Sequence, residues 1–184
     1  METIEPLLEA VREGLERAEW QLSGLQKTTS YEYEGPWEGA SLRSAYAFFH
    51  GVEDDEGEGP SIELFVDETD EGVDGTLSLL VAGPSLADQP AVAAVLERAL
   101  NLAGRSLPPE MPAPVSVSYG HRGRGVPEAA TARVRFKARI PRTAVSAGRG
   151  AVDATLNTVI DAFRRVLDGW PFAGSPDEER GRPA

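Results

Sequence analysis

The feature that most constrains this chain is the order in which its apolar residues change period: helical, then two-residue, then helical, two-residue and helical again. Ile4, Leu7, Leu8, Val11, Leu15, Ala18 and Leu22 recur at three- and four-residue spacing opposite Glu5, Glu9, Glu13 and Glu16, which predicts a one-sided helix. Thr3 is placed to cap its start and Gly24 to end it.

From Thr28 the period drops to two. Tyr31 and Tyr33 alternate with Glu32 and Glu34, and after a turn at Gly35–Gly39 a strand is expected over Leu42–His50. Glu53–Gly59 interrupts it; Ile62, Leu64 and Val66 then share one face of the next strand, and an acidic turn at Asp67–Gly75 leads to a strand over Thr76–Ala82. Short polar turns between successive strands imply an antiparallel meander, since parallel neighbours need crossover connections. Asp88-Gln-Pro90 opens a second helix through Val92, Val95, Leu96, Ala99, Leu100 and Ala103, with Gly104 expected to end it. Val115, Val117 and Tyr119 begin another strand, and Gly120–Gly125 forms a turn. Thr131–Ile140 is the clearest strand, with Ala132, Val134, Phe136, Ala138 and Ile140 on one side and Arg133, Arg135, Lys137 and Arg139 on the other. The closing helix buries Val152, Leu156, Val159, Ile160, Phe163, Val166, Leu167 and Trp170.

This pattern predicts an α+β fold: a twisted antiparallel sheet with helices packed against it, in the order α-β-β-β(-β)-α-β-β-α. A chain of 184 residues, 41% hydrophobic, is long enough for one sizeable core. A single domain is expected over residues 1–172, and the polar, Gly- and Pro-bearing residues 173–184 read as a disordered tail.

Composition excludes several kinds of chemistry. Without cysteine there is no disulfide, thiolate nucleophile or Cys-ligated zinc. Met1-Glu-Thr-Ile-Glu-Pro6 lacks the basic and long apolar regions of a secretory signal, and no apolar run reaches membrane-spanning length, so a cytoplasmic protein without membrane contact is expected. The net charge of −12 disfavours bulk affinity for polyanions. Its distribution is uneven: residues 1–104 carry −17, residues 105–149 carry +7, and residues 150–184 carry −2.

No motif supplies a catalytic constellation or a cofactor site. Gly83-Pro-Ser-Leu-Ala87 has the strand–turn–helix placement of a nucleophile elbow, but that motif belongs to a mostly parallel sheet with a histidine base nearby. Read as a calcium loop beginning at Asp67, the acidic turn puts Gly72 correctly at the sixth position, but Thr69 stands at the third and Ser78 where the bidentate Glu is needed. His50 and His121 have no metal-ligand spacing, and Gly120-His-Arg-Gly-Arg-Gly125 lacks the Lys-Ser/Thr of a phosphate loop. No metal and no cofactor are expected. The basic face of Arg133, Arg135, Lys137 and Arg139 admits two readings: pairing with Glu residues on neighbouring strands, or a partner site for an acidic protein or nucleic acid. The aromatic interleaving of a single-strand binder is absent from this strand.

The element order, together with Leu15-Glu-Arg-Ala-Glu-Trp20, Val95-Leu-Glu-Arg-Ala-Leu-Asn101, Val134-Arg-Phe-Lys-Ala138 and Leu156–Trp170, resembles the type III secretion chaperone-like superfamily, and within it the YbjN-type bacterial proteins. The likeness covers about residues 2–172, and the Tyr31–Gly39 segment is longer than that family's usual first connection. The resemblance implies a non-enzymatic, acidic, homodimeric protein that binds another polypeptide, as chaperone or accessory in stress response or DNA repair. Its dimer contact is expected at the stripe Val92, Val95, Leu96, Ala99 and Leu100. The opposed readings are a nucleic-acid accessory using the Arg133–Arg139 face and an enzyme using scattered carboxylates.

Overall fold

The computed structural model describes residues 4–29, 43–54, 59–69, 71–85, 92–109, 115–120 and 131–172. Helix α1 (Ile4–Arg17) is followed by strands β1 (Trp20–Thr29), β2 (Arg43–Gly51), β3 (Ser61–Thr69) and β4 (Gly72–Ser85). Helix α2 (Val92–Ser106), strands β5 (Val115–Gly120) and β6 (Thr131–Ile140), and helices α3 (Arg142–Ala147) and α4 (Arg149–Gly169) complete the order. The six strands form one antiparallel sheet, β1-β2-β3-β4-β6-β5. The expected α+β class is therefore the observed one.

Alternation sets the two sides of the sheet. Ala45, Ala47 and Phe49 on β2, Ile62, Leu64 and Val66 on β3, Leu77 and Leu79 on β4, and Val134, Phe136, Ala138 and Ile140 on β6 are fully buried. Onto them pack α1, through Ile4, Leu7, Val11 and Leu15, and α4, through Val152, Leu156, Val159, Ile160, Phe163 and Val166. The first and closing helices thus share a face and touch each other, as the apolar stripes predict. Gly75 lets α1 seat closely on the sheet: a Cβ there would lie 3.1 Å from Ile140 of β6 and 3.2 Å from Leu7 of α1.

Several boundaries differ from expectation. Helix α1 stops at Arg17, not at Gly24, because the chain reverses at Glu19, whose φ of 68° is left-handed and whose carbonyl accepts from the Val52 N–H at 3.0 Å. Trp20 and Leu22 then belong to β1, paired with Gly51 and Phe49, and the first strand lies earlier than Tyr31–Tyr33, which are outside the described residues along with Thr3, Gly35–Gly39 and the tail 173–184. The acidic turn over Asp67–Gly75 is mostly strand, since β3 runs to Thr69 and β4 begins at Gly72. Gly104 does not end α2: the helix continues to Ser106, whose buried carbonyl accepts from Arg165 Nη2 at 2.8 Å, so packing against α4 overrides the glycine. Gly148, at φ 98°, breaks the last helical segment into α3 and α4.

Two arginines tie helices to strand ends. Arg43 on β2 grips Glu68 on β3 with two bonds, 2.8 and 2.5 Å, and reaches Glu5 of α1 at 2.8 Å, while the Ile4 N–H donates to Glu68 at 3.3 Å. Arg142, at the start of α3, holds Asp74 of β4 in the same fork, 2.7 and 2.5 Å, and also pairs with Glu71. At the opposite end, Trp170 donates its indole N–H to the Ala82 carbonyl at 2.6 Å, beside the bulge between Ala82 and Ser85, and sets its ring edge-on to Phe136 at 5.9 Å.

Candidate interaction surface

The four helices leave the second face of the sheet uncovered among the described residues, and strand register specifies what lies on it. One row across the strands reads Gln26, Tyr46, Phe65, Thr76 and Arg139; the next reads Gly24, Phe48, Glu63, Ser78 and Lys137; a third reads Gln21, His50, Ser61, Leu80, Arg135 and Ser116. Arg133 continues the pattern beside Ala82 and Ser118. All four basic residues of β6 therefore share this face, as alternation requires.

Their partners are unequal. Arg135 reaches across β4 to Glu63 on β3 at 2.8 Å, an ion pair one strand beyond the neighbouring strands where pairing was expected. Arg133, Lys137 and Arg139 form no ion pair with any described residue. Arg133 and Arg139 are exposed, and Lys137 is partly so.

The same face holds an apolar patch that the sequence reading did not assign. Tyr46 is 42% exposed and Phe48 37%, unusual values for aromatic side chains in strands, and Phe65 is half-buried with its ring 4.6 Å from that of Tyr46. The open face of β6 carries no aromatic residue, its Phe136 lying on the core side, and β2 and β3 supply the rings instead. With neighbouring strands about 4.8 Å apart, Phe65 lies about 10 Å from the β6 cations along its row and Phe48 about 14 Å along the next.

Acidic groups bound the patch at one end. Asp67 and Asp74 face each other across β3 and β4. Arg142 holds the Asp74 carboxyl below the usual carboxylate range, against the opposing effect of burial. Burial, with the Asp74 and Glu68 charges adding to it, pushes Asp67 up. These two carboxylates sit in paired strands and not in a loop, and no cluster of metal-ligating side chains occurs among the described residues. His50 lies on the open face with Nδ1 3.9 Å from Asp54; His121 is outside the described residues. The elbow reading of Gly83–Ala87 fails on topology, since Gly83 and Ser85 end an antiparallel strand rather than a parallel one.

The α2 stripe divides. Val95 and Ala99 are 3% and 0% exposed and pack inside the chain's own core, which takes them out of the expected contact stripe. A helix has two sides, and the stripe spans both. Val92 and Leu100, 48% and 51% exposed, lie with Leu96 on an outward ridge at four-residue spacing. No helix among the described residues is long and apolar enough to cross a membrane. No protein-family model, curated protein or solved structure matches the chain.

Proposed function

We propose that this chain is a non-enzymatic binding module for another cytoplasmic protein, chaperone-like or accessory in role, which uses the open face of the sheet as its contact surface. The observation that carries this reading is the juxtaposition of Tyr46, Phe48 and Phe65 with three cations that have no ion-pair partner among the described residues. An exposed aromatic patch beside cations that lack a close ion pair among the described residues, Arg139 among them feeling the Asp74 charge, has the composition of a contact surface: aromatics supply contact area, and charge supplies orientation and rate. Kinship with the YbjN-type proteins, a place in stress response or repair, and homodimerisation through Val92, Leu96 and Leu100 belong to the same proposal.

The nucleic-acid reading draws on the same aromatics, since bases stack on exposed rings flanked by cations. It is the weaker one, because Glu63, Asp67 and Asp74 share the face and the chain carries −12 overall. The test is to recover the tagged protein from its native cell beside the variant carrying Arg133→Glu, Arg135→Glu and Arg139→Glu. A co-purifying protein that associates more slowly with the variant, and with a flatter salt dependence, supports the reading. Unchanged rate and salt slope overturn it, and retention of oligonucleotides at physiological salt transfers the site to nucleic acid.

A further inference from the structure

Resting on the assignment of the open face to protein binding, we infer the chemistry of the partner: an acidic segment in which an aromatic or aliphatic anchor and a carboxylate are separated by the distance between the two halves of this face. The anchor sits on Tyr46, Phe48 and Phe65, and the carboxylates meet Arg133, Lys137 and Arg139.

The separation follows from the register. Phe65 reaches the β6 row across one intervening strand and Phe48 across two, so a ligand touching both halves crosses the strands over about 10–14 Å. In an extended segment, residues on one side repeat every second position, and the fourth residue after the anchor lies about 13 Å away. In a helical segment, the seventh residue lies about 10.5 Å away on the same side. Between the halves lie the small polar Thr76 and Ser78, with Ser78 only 6% exposed and the Arg135–Glu63 pair crossing β4, so a ligand touching both halves passes over that pair. Backbone groups of the central strands are already paired within the sheet, so recognition is by side chains and not by strand addition.

A segment with charge at one end fits this face better than a polyphosphate. Glu63 stands in the Phe48–Lys137 row, and Asp67 and Asp74 close one end, so evenly spaced phosphates would meet carboxylates on the way to the cations. Tyr46 and Phe65 also pack on each other, which covers part of the ring surface that bases would need.

The test is a selection from a displayed random-peptide library against the whole protein, with enriched peptides then synthesised and titrated by fluorescence anisotropy beside oligo-dT and oligo-rU. Enriched peptides are expected to share an aromatic or aliphatic residue with Asp or Glu at the fourth or seventh position from it. They should lose at least about tenfold in affinity with Arg133→Glu/Lys137→Glu/Arg139→Glu, and again with Tyr46→Thr/Phe48→Thr, substitutions of exposed side chains that keep strand-forming residues. The milder set Arg133→Gln/Lys137→Gln/Arg139→Gln serves if the charge reversal unfolds the protein. A peptide whose carboxylates are replaced by Lys should recover binding to the Glu variant. Peptides that need the open face without that spacing overturn the inference and leave the protein-binding reading standing. Peptides indifferent to both variants, no enrichment, or tighter binding of an oligonucleotide at the same site overturn the inference; native-partner capture unaffected by the Arg variants is what overturns the broader reading.

Discussion

Replacing Trp170 by Phe isolates what fastens α4 to the sheet. The indole is 3% exposed, meets Phe136 edge-on at 5.9 Å and Phe172 at 5.5 Å, and donates to the Ala82 carbonyl at 2.6 Å. A phenyl ring keeps most of the aromatic contact and loses the donor. The bond is part-buried, and its loss is worth about 1 kcal/mol, the modest net value of such a bond. The atoms by which indole exceeds phenyl remove about 1.5 kcal/mol of burial, at the usual value per methylene-sized group. The expected loss is therefore about 2–3 kcal/mol, or roughly 4–12 °C in Tm for a chain of this size. Urea titration followed by far-ultraviolet circular dichroism measures it without depending on tryptophan emission. Phe136→Leu, alone and combined, should show a coupling of about 0.5 kcal/mol or more, since the two rings touch. A Trp170→Phe loss below about 0.5 kcal/mol, the range of inert surface changes, would mean that neither the hydrogen bond nor the ring packing fastens the helix.

Other outcomes bear on separate parts of the molecule. Leu96→Asp, on the outward ridge of α2, should convert a homodimer to a folded monomer by light scattering, and a wild-type mass near 19.7 kDa at micromolar concentration would count against the dimer. Asp74→Asn should lower Tm at neutral pH, and its deficit should shrink as the pH falls. The reasoning is that a carboxyl held below its ordinary value stabilises the fold above that value, and the contribution disappears once the native carboxyl is protonated. Parallel melting curves from pH 7 to about pH 3 would show that the Arg142 fork contributes nothing. Asp67→Asn should act in the opposite sense, raising Tm at neutral pH, because its raised value means that the ionised form is disfavoured in the folded state.

The core was legible because burial and period agree. Every second residue of Ile62–Val66 and Ala132–Ile140 is apolar and faces the helices, so the sheet side of these positions follows from alternation alone. Trp20 and Leu22 were misplaced because an apolar pair two residues apart fits the end of a helix or the start of a strand, and the deciding event is a left-handed Glu19 that propensity does not favour. Gly104 misled for a related reason: its neighbours Ser106 and Leu107 are buried, and tertiary packing carries the helix past it. The exposed aromatics had a usable signal. Once Ala45, Ala47 and Phe49 are assigned to the core, Tyr46 and Phe48 must point the other way. What the sequence could not provide was the neighbour relation of β4 to β6, which brings those rings and the cations onto one surface.

That same neighbour relation bears on the kinetics of folding. Strands β1 to β4 pair with one another in sequence order, and β5 pairs only with β6, so each group can assemble from contacts close in sequence. The ladder from Gly75–Ile140 to Ala82–Arg133 unites them and is the sheet contact that spans α2. Closing so long a loop has an entropic cost that the ladder offsets only as it forms, which makes this seam the natural rate-limiting event.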